Sequence, residues 1–363
     1  MRNSMRIVVS GGGTGGHIYP ALAIAAEFRR RGAEVLYMGC PDSMEQQFAA
    51  NAGFGFVPVP AVGLRRRFPA IIRDLAVDKQ GRDLAKQRLK EFSPQLVIGT
   101  GGFVSAPVLS AAQGLGIPTL IHEQNAFPGL ANRFLARRAA AVCLTFAAAG
   151  EHFPHPERHH LTGLPLRPEI IAADVQAARE YFGFPNDGKP LLLITGGSQG
   201  ALKLNNAAAG SYTQLLEAGI RIIHLTGKRH YEQLKAAAPQ HEDLLLLPYL
   251  EQMQHALVLA DFIAARAGAS FLAEAAYLGK PCLLVPYPFA ANDHQRYNAR
   301  QFAAVGAAVV VEDEQLNGAT LAATVLPLLA NSDKLKEMSA ASRSLAAEQA
   351  AERIADIGYD LVK

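Results

Sequence analysis

Short apolar runs and segments of helical periodicity alternate along the chain. The first run, residues 7–9, leads at once into the glycine-rich stretch 11–16, and residues 20–31 then carry apolar side chains at helical spacing. Glycines directly after an apolar run of strand length stop a helix there. This pattern predicts a strand, a glycine turn and a helix, which together form the first half of a βαβ unit.

The same alternation continues through the rest of the chain. Apolar strands that alternate with helices indicate a parallel sheet covered by helices. Further strands are predicted at residues 36–39, 55–59, 96–99, 119–122, 141–144, 191–195, 220–225, 244–247, 262–265, 282–285 and 307–310. The alanine-rich segments 315–329 and 344–361 are predicted to be helical.

The pattern is interrupted near the middle of the chain. Between residues 142 and 189 prolines and polar residues accumulate, as around Pro154 and Pro165, and repeated prolines are typical of a linker. Residues 191–200 then repeat the strand and glycine turn of the N-terminal segment. Because 363 residues exceed the size at which single cores stop growing, we predict an α/β protein of two Rossmann-like domains that face each other across a cleft.

Composition narrows the class of protein. The apolar share of 50% and the net charge of +3 favour a globular protein without a nucleic-acid partner. Cys40, Cys143 and Cys282 lie far apart beside apolar strands, so we predict small core residues in a reducing cytosol rather than disulfides or zinc ligands. The N-terminus lacks the apolar core of a signal peptide, and no stretch approaches about 20 apolar residues. Any membrane contact is therefore expected to be peripheral.

The first glycine turn also matches a dinucleotide-binding fingerprint. Gly11, Gly13 and Gly16 have its spacing, which is typical of an NAD-dependent oxidoreductase. The fingerprint also requires an acidic residue at the end of the second strand to hold the ribose hydroxyls, and here Gly39 is followed by Cys40. Another phosphate or sugar site is therefore favoured, with a structural tight turn and a dinucleotide site as the alternatives.

Two further polar loops follow predicted strands of the first half. They are the second glycine turn at residues 99–102 and the segment 122–125. In open α/β sheets the loops at the carboxyl ends of the strands line the ligand crevice. Both glycine turns and residues 122–125 are therefore expected to face one cleft.

Six motifs occur in order across nearly the whole chain. Each glycine turn is generic by itself, but the ordered set is specific. In this combination the chain resembles the MurG family of bacterial N-acetylglucosaminyltransferases, within glycosyltransferase family 28. The motifs are residues 12–17 (GGTGGH), 101–107 (GGFVSAP), 122–125 (HEQN), 196–201 (GGSQGA), 266–270 (RAGAS) followed by Glu274, and 292–299 (NDHQRYNA).

The resemblance implies both a fold and an activity. The fold is the GT-B glycosyltransferase fold, and the activity is that of a hexosyltransferase of peptidoglycan synthesis, hence of cell shape and division. It transfers N-acetylglucosamine from UDP-N-acetylglucosamine to lipid I, the undecaprenyl-pyrophosphoryl N-acetylmuramyl pentapeptide, to give lipid II with inversion at the anomeric carbon. The acceptor- and membrane-binding domain is expected at residues 1–164 with 344–363, and the UDP-N-acetylglucosamine domain at residues 165–343.

The resemblance also implies a donor site. Ser198 would meet a phosphate oxygen, Glu274 the ribose hydroxyls and Gln295 the sugar hydroxyls, while the main chain of Leu250 would meet uracil. The plain alternatives are a helix cap for Ser198, a surface helix residue for Glu274 and a solvated charge for Arg167. The implied UDP-N-acetylglucosamine site comprises Thr14, Gly15, Gly16, Asn125, Arg167, Ser198, Leu250, Ala269, Ser270, Phe271, Leu272, Ala273, Glu274 and Gln295.

Two positions depart from the family pattern. Phe271 stands where the family usually has threonine, so a side-chain hydrogen bond is lost there and only backbone contacts remain. Leu164 stands where asparagine is common before the proline, which changes the contacts expected at the hinge.

The transfer needs a general base for the acceptor hydroxyl, and histidine is suited to this role near neutral pH. His17 is the first candidate and Glu123 the second, with a binding or structural role as the alternative for His17. Gly101, Gly102 and Asn132 are expected on the acceptor side. Since no carboxylate pair with metal-binding geometry follows the strands, no metal or other cofactor is expected, and helix dipoles and N–H groups would stabilise the departing diphosphate.

One segment interleaves arginines with apolar side chains, as docking to anionic lipids requires. An exposed loop without a partner is the alternative. The implied location is the cytoplasmic face of the bacterial inner membrane, with other cell-wall synthesis or division proteins as further partners. The segment comprises Leu64, Arg65, Arg66, Arg67, Phe68, Ile71 and Ile72.

Three other functions compete with the lipid I transferase. A related GT-B enzyme with another lipid acceptor, such as a diacylglycerol galactosyltransferase, keeps the fold. An NAD-dependent oxidoreductase uses the first glycine turn, and a catalytically silent protein only binds the nucleotide sugar.

Overall fold

The computed structural model describes residues 4–63 and 70–363, which form two α/β units. The first comprises Met1–Arg167 with Ala347–Lys363, and the second comprises Pro168–Ala346. The chain therefore passes between the units after Arg167 and Ala346, whereas the sequence placed these crossings after Leu164 and Arg343.

The elements of the first unit alternate between strand and helix. In chain order they are β1 (Arg6–Ser10), α1 (Gly15–Arg30), β2 (Glu34–Gly39), α2 (Met44–Asn51), β3 (Gly55–Pro58), α3 (Ala70–Phe92), β4 (Leu96–Gly99), α4 (Ser105–Gly114), β5 (Thr119–Glu123), α5 (Leu130–Leu135), β6 (Ala141–Leu144) and β7 (His159–Leu161). Short 3-10 helices lie at Ala136–Arg138, Ala147–His152 and Pro156–Arg158.

The second unit repeats this alternation, and one more helix returns to the first unit. The elements are α6 (Pro168–Ile171), α7 (Val175–Phe182), β8 (Leu191–Thr195), α8 (Leu202–Ala209), α9 (Tyr212–Glu217), β9 (Arg221–Leu225), α10 (Tyr231–Ala237), β10 (Leu244–Leu247), α11 (Met253–Leu259), β11 (Phe262–Ala265), α12 (Ala269–Tyr277), β12 (Cys282–Leu284), α13 (His294–Ala304), β13 (Ala308–Val310), α14 (Gly318–Leu329), α15 (Ser332–Arg343) and α16 (Ala350–Asp360), with 3-10 helices at Ala291–Asp293 and Asp313–Gln315.

Both sheets are parallel and have the strand order of a Rossmann fold. The first runs β3-β2-β1-β4-β5-β6-β7 and the second β10-β9-β8-β11-β12-β13. In the first sheet the chain adds β1 to β3 in one direction and β4 to β7 in the other, so the strand order reverses between β1 and β4. In the second sheet the strand order reverses in the same way between β8 and β11. Ligands of such sheets bind at the carboxyl ends of the strands beside this reversal. The predicted pair of Rossmann-like domains is confirmed.

The strands of the first unit are apolar throughout because both faces of the sheet are covered. Ile7 and Val9 of β1 pack on one face with α1 and α16, whereas Val8 packs on the other face with α3 and α4. This is the two-residue alternation of a strand. On the first face, α16 contributes Ile354 and Ala355 to the core.

Two of the three cysteines are core residues, as predicted. Cys143 and Cys282 are buried and Cys40 is half-buried. Burial raises the pKa of the Cys282 thiol to about 12 and that of Cys40 to about 11, so these thiols stay protonated at neutral pH.

Two local predictions are wrong. Helix α1 begins at Gly15 instead of Pro20, because the extended backbone of Thr14 provides the N-cap and its carbonyl accepts from the amide of His17 at 3.0 Å. Two glycines at a helix start give no propensity signal, and Pro20 only resembled a first helical residue.

The predicted linker between residues 142 and 189 is largely regular structure. It contains β7, which pairs with β6 at the edge of the first sheet, and α7, whose N-cap Asp174 accepts from the amide of Ala177 at 2.8 Å. The strand β7 was missed because its sequence, His-His-Leu, is too short and too polar to give an apolar run.

Candidate functional site

The two glycine turns of the first unit pack directly against each other at the point where the strand order reverses, between β1 and β4. Gly102 has a φ of +76°, and a Cβ at this position would collide with the carbonyl oxygen of Gly12. The hydroxyl of Thr100, at the end of β4, donates to the carbonyl of His17 at 2.7 Å. These contacts hold the start of α1 against the second turn, so His17 stands at the carboxyl edge of the sheet.

His17 is half-buried in the first turn of α1, and its ring orientation follows from its partners. Nδ1 lies 3.0 Å from the carbonyl oxygen of Thr100 and 3.1 Å from Oε1 of Gln124. Both partners are acceptors, so Nδ1 carries a proton, and in the neutral ring Nε2 carries the lone pair. This tautomer can accept a proton at Nε2, which is what a general base requires.

Glu123, at the end of β5, has a different role. Only 1% of it is exposed, and its carboxylate accepts from the amides of Asn125 at 3.0 Å and Gly129 at 3.2 Å and from Nδ2 of Asn132 at 2.8 Å. Both carboxylate oxygens of Glu123 are therefore engaged by donors of the loop and of α5. Its geometry supports a role in shaping the loop after β5 and favours His17 as the base.

Asn132 has a side-chain oxygen without a hydrogen-bond donor among the described residues, next to the second glycine turn. The residue is 2% exposed, and its Oδ1 has no hydrogen-bond partner among the described residues. A Cβ on Gly101 would lie 3.1 Å from Asn132 Nδ2, so the second glycine turn packs directly on this amide. A buried polar atom without a partner costs about 1–3 kcal/mol. Asn132 is therefore suited to receive a donor from a bound ligand.

Sequence reasoning missed Glu45, whose carboxylate accepts a hydrogen bond from the first glycine turn. Glu45 lies in the first turn of α2 and is 1% exposed. Its carboxylate accepts from the amides of Gly13 and Cys40, each at 3.3 Å. In the sequence it resembles an ordinary acidic residue after an N-cap, here Ser43, so nothing marked it as a partner of the turn.

We expect replacement of Glu45 by alanine to lower the free energy of unfolding by about 2 kcal/mol, because two partly buried hydrogen bonds to its carboxylate are lost. Glu45→Gln should have a smaller effect, since its amide oxygen still accepts one of the two hydrogen bonds. Urea denaturation of both variants measures this, with Gln47→Ala, an exposed change on the same helix, as the control. A Glu45→Ala protein as stable as the wild type would contradict the supporting role.

The second unit has its own glycine turn after β8. Gly200 has a φ of +73°, and a Cβ there would collide with the carbonyl oxygen of Thr226, which also accepts from Nδ2 of Asn205 at 2.8 Å. Ser198 is exposed in this turn, whereas the N-cap of α8 is Ala201. The cap alternative for Ser198 is wrong, and its hydroxyl is presented to solvent.

The neighbouring strand β11 leads into α12. Gly268 is the N-cap of this helix, so the amides of Ala269, Ser270 and Phe271 in the first turn have no acceptor within the helix. The same end carries the positive pole of the helix dipole. Ser270 Oγ is buried and has no hydrogen-bond partner in the part of the chain that the structure describes. Free donors and a positive pole are what an anionic diphosphate requires.

The other predicted donor-site residues of α12 differ in how deeply their side chains are buried. Leu272 is fully buried in the core, and Ala273 is half-buried. Phe271 is also half-buried, so this departure from the family pattern fills space beside the helix start. Glu274 is 8% exposed, so it is not the surface residue that the plain alternative predicted.

Two more donor-site candidates lie at the same edge of the second sheet, because they follow parallel strands. Leu250 comes after β10 and is 7% exposed. Gln295 lies in α13 after β12, and its Oε1 accepts from the amide of Tyr287 at 3.0 Å. Ser198, Leu250, Glu274 and Gln295 thus all follow carboxyl ends of strands in one sheet.

The remaining candidates belong to the first unit. Thr14 is exposed at the start of α1, beside Gly15 and Gly16. The guanidinium of Arg167, the final residue before the chain enters the second unit, lies 5.5 Å from the centre of the Tyr19 ring. Leu164 is 4% exposed, so the second departure from the family pattern is a packing residue.

The predicted membrane segment lies outside the described residues. This applies to Leu64, Arg65, Arg66, Arg67 and Phe68 and to the side chains of Ile71 and Ile72. Within residues 4–63 and 70–363, no helix is long and apolar enough to cross a bilayer. The same residues contain no group of three or more histidine, cysteine, aspartate or glutamate side chains arranged to hold a metal ion.

Both units match known protein families. The N-terminal domain of glycosyltransferase family 28 matches residues 7–144, and the C-terminal domain of the same family matches residues 191–354. A protein of Moorella thermoacetica named UDP-N-acetylglucosamine–N-acetylmuramyl-(pentapeptide) pyrophosphoryl-undecaprenol N-acetylglucosamine transferase is 44% identical over 97% of this chain and 98% of its own. A protein of Exiguobacterium with the same name is 36% identical over 99% of this chain and its full length.

Among solved structures, too, the chain is similar to a protein of this kind. The crystal structure of MurG from Acinetobacter baumannii is 30% identical, with a TM-score of 0.80 over 98% of this chain and 99% of that one. The UDP-GlcNAc 2-epimerase of Neisseria meningitidis reaches a TM-score of 0.73 over 98% of this chain and 100% of its own at 13% identity, which shows the fold alone.

The pair of Rossmann-like units, together with the family matches to both of them, identifies the chain as a GT-B glycosyltransferase. Within that class, the chain belongs to glycosyltransferase family 28. The resemblance seen in the ordered motifs is confirmed.

Proposed function

We propose that the protein is a hexosyltransferase that moves N-acetylglucosamine from UDP-N-acetylglucosamine to lipid I, giving lipid II in peptidoglycan synthesis. The observation that carries this proposal is the 44% identity, over nearly the whole chain, to a relative named for that reaction. The similarity spans both units, so it includes the residues proposed for donor and acceptor alike.

The first unit binds the acceptor in this proposal, and His17 is the base. Nε2 of His17 takes the proton of the attacking hydroxyl, while the Nδ1 proton stays on its two acceptors, Thr100 and Gln124. Asn132 Oδ1, buried and unsatisfied, accepts a hydrogen bond from the acceptor substrate. Attack on the face opposite to UDP inverts the anomeric carbon from α to β.

The second unit binds UDP-N-acetylglucosamine. The amides at the start of α12, with the hydroxyls of Ser270 and Ser198, donate hydrogen bonds to the diphosphate and stabilise the negative charge that develops on it as it leaves. Glu274 accepts from the ribose hydroxyls, and Gln295 contacts the sugar. Since a helix N-terminus supplies the positive potential, the proposal needs no metal ion or other cofactor.

An NAD-dependent oxidoreductase is a weaker alternative for a structural reason. The carboxylate of Glu45 already accepts from the amide of Gly13 within the glycine turn. A dinucleotide pyrophosphate would need such amides as donors and would approach a buried negative charge.

The direct test is release of UDP by the purified protein supplied with UDP-N-acetylglucosamine and a lipid I analogue. We expect UDP and a lipid II analogue in equal amounts. The matched comparison supplies UDP-galactose and diacylglycerol, the substrates of the alternative acceptor class. Turnover only with the second pair, or saturable NAD binding without any transfer, would overturn the proposal.

We also propose that the protein works as a peripheral protein on an anionic membrane, at the cytoplasmic face of the inner membrane, because the acceptor lipid remains in the bilayer. The described part of the first unit supports this. Leu130 and Phe134 are 54% and 66% exposed and lie one turn apart on α5. Arg133 lies on the same helix, and Arg137 follows in an exposed position. Apolar side chains flanked by arginines are typical of interfacial docking.

We expect the double change Leu130→Ser and Phe134→Ser to weaken binding to vesicles containing anionic lipids by tenfold or more, at about 1.5–3 kcal/mol for each buried side chain. Vesicle sedimentation measures this, and Ile171→Ser in the second unit, 57% exposed, is the control. Turnover of a water-soluble acceptor should stay unchanged. Equal vesicle binding of the double variant and the wild type would contradict a docking role for α5.

A further inference from the structure

We propose that Gln124 is a positioning residue that selects the tautomer of His17. The proposal rests on His17 acting as the base in the proposed function. Gln124 follows β5 directly and is 1% exposed. Its side chain lies between His17 and His122, and it contacts both.

The orientation of the Gln124 amide follows from its neighbours. Nε2 donates to the carbonyl oxygen of Thr100 at 2.7 Å, and a carbonyl can only accept. The other end of the amide, Oε1, must therefore face Nδ1 of His17. If the amide were turned around, two oxygens would face each other at Thr100. The amide thus presents an acceptor to Nδ1 and keeps the proton there.

His122 fixes the same amide from the other side. Its Nε2 lies 2.9 Å from the carbonyl oxygen of Gly163, so Nε2 carries the proton and Nδ1 accepts from Nε2 of Gln124 at 3.0 Å. Burial lowers the pKa of His122 to about 4, so this ring is neutral at physiological pH and Nδ1 remains an acceptor. One chain of hydrogen bonds therefore runs from Gly163 through His122 and Gln124 to His17.

The partner of the proposed base is therefore an amide and not a carboxylate. Glu123 is the carboxylate next to Gln124 in the sequence, and its oxygens are directed at Asn125, Gly129 and Asn132. The segment thus separates two tasks. Glu123 shapes the loop, and Gln124 controls the proton on the imidazole.

The first measurement is spectroscopic. In the intact protein labelled with ¹⁵N-histidine, the neutral His17 ring should give the nitrogen shifts of an Nδ1-protonated tautomer, with its signals assigned by their loss in His17→Gln. In Gln124→Met the Nε2-protonated form should become detectable, since one of the two acceptors at Nδ1 is gone. A wild-type spectrum with the proton on Nε2 would overturn the proposal, whatever the activity.

Kinetics supply the second measurement. Gln124→Met should lower kcat about 3- to 10-fold, the range for one lost hydrogen bond, and should leave the KM for UDP-N-acetylglucosamine unchanged. Gln113→Met is the matched control, because Gln113 donates to Thr119 and to the carbonyl of Leu135, outside this cluster. In Gln124→Glu an oxygen replaces Nε2 and faces the carbonyl oxygen of Thr100 and Nδ1 of His122, so kcat should fall further than in Gln124→Met and the pH profile of kcat/KM should change.

The outcomes separate this proposal from the proposed function. If His17→Ala abolishes turnover but Gln124→Met and Gln124→Glu both keep the wild-type kcat and pH profile, the positioning role is wrong and the base assignment stands. If His17→Ala turns over at the wild-type rate, His17 is not the base, and the positioning role for catalysis fails with it.

Discussion

We expect replacement of His17 by alanine to lower kcat by about 10²–10⁴-fold, the usual contribution of a general base, and to leave the affinity for UDP-N-acetylglucosamine unchanged. The reason is geometric. His17 lies in the first unit with its Nδ1 proton on Thr100 and Gln124, so its removal deletes the proton acceptor without changing α12 or Glu274 in the second unit. Steady-state UDP release at saturating concentrations of both substrates measures kcat, and calorimetry measures donor binding.

The control for this prediction is His155→Ala, because the His155 side chain is 42% exposed and belongs to a surface 3-10 turn. This variant should keep the wild-type kcat. A His17→Ala protein that retains folding and at least half of the wild-type kcat would exclude His17 as the base. The buried carboxylate of Glu123 would then be the next residue to test.

We expect replacement of Glu274 by alanine to raise the KM for UDP-N-acetylglucosamine about 10- to 100-fold, because hydrogen bonds to a charged group, here those proposed with the ribose, contribute about 1.5–3 kcal/mol. The position of Glu274 supports this size of effect. It lies on α12 one turn beyond Ser270, and it is 8% exposed, so its interactions are little screened by solvent. UDP binding alone should weaken by the same factor, since the ribose belongs to both ligands.

Glu274→Gln provides a graded comparison, since the amide keeps one acceptor oxygen but loses the charge. Its KM should fall between those of the wild type and Glu274→Ala. Glu337→Ala, on α15 with a side chain 68% exposed, is the control and should bind UDP normally. An unchanged affinity for UDP in a folded Glu274→Ala protein would exclude the ribose contact.

Regular elements with strong apolar patterns were predictable from the sequence. Every residue of β4, β8 and β11 is buried, and all but Thr195 are apolar, so the bounds of these strands were predicted without error. The start of α1 and the edge strand β7 were not predicted, because backbone geometry at Thr14 and pairing with β6 determine them. Neither feature produces a local hydrophobic signal.

The candidate site was predictable in part, for a related reason. Motifs indicated His17, Glu123 and Glu274, but a motif gives no hydrogen-bond partners. Glu45 and Gln124 act through contacts with residues far away in the sequence, such as Gly13 and Thr100. Only the folded chain brings these groups together. It also shows that the hydrogen bonds of His17 within the described residues are made by Nδ1, whereas both carboxylate oxygens of Glu123 are engaged.

The position of α16 has a consequence for the order of folding. Residues 168–346 form the second unit as one continuous segment, whereas Ile354 and Ala355 complete the core of the first unit. Domains generally fold as units while the ribosome is still adding residues, the N-terminal one first. Here the first unit to be synthesised is the last to be completed. Until α16 leaves the ribosome, Phe28 of α1 lacks its stacking partner Tyr359, and on this face α1 alone protects the core from water.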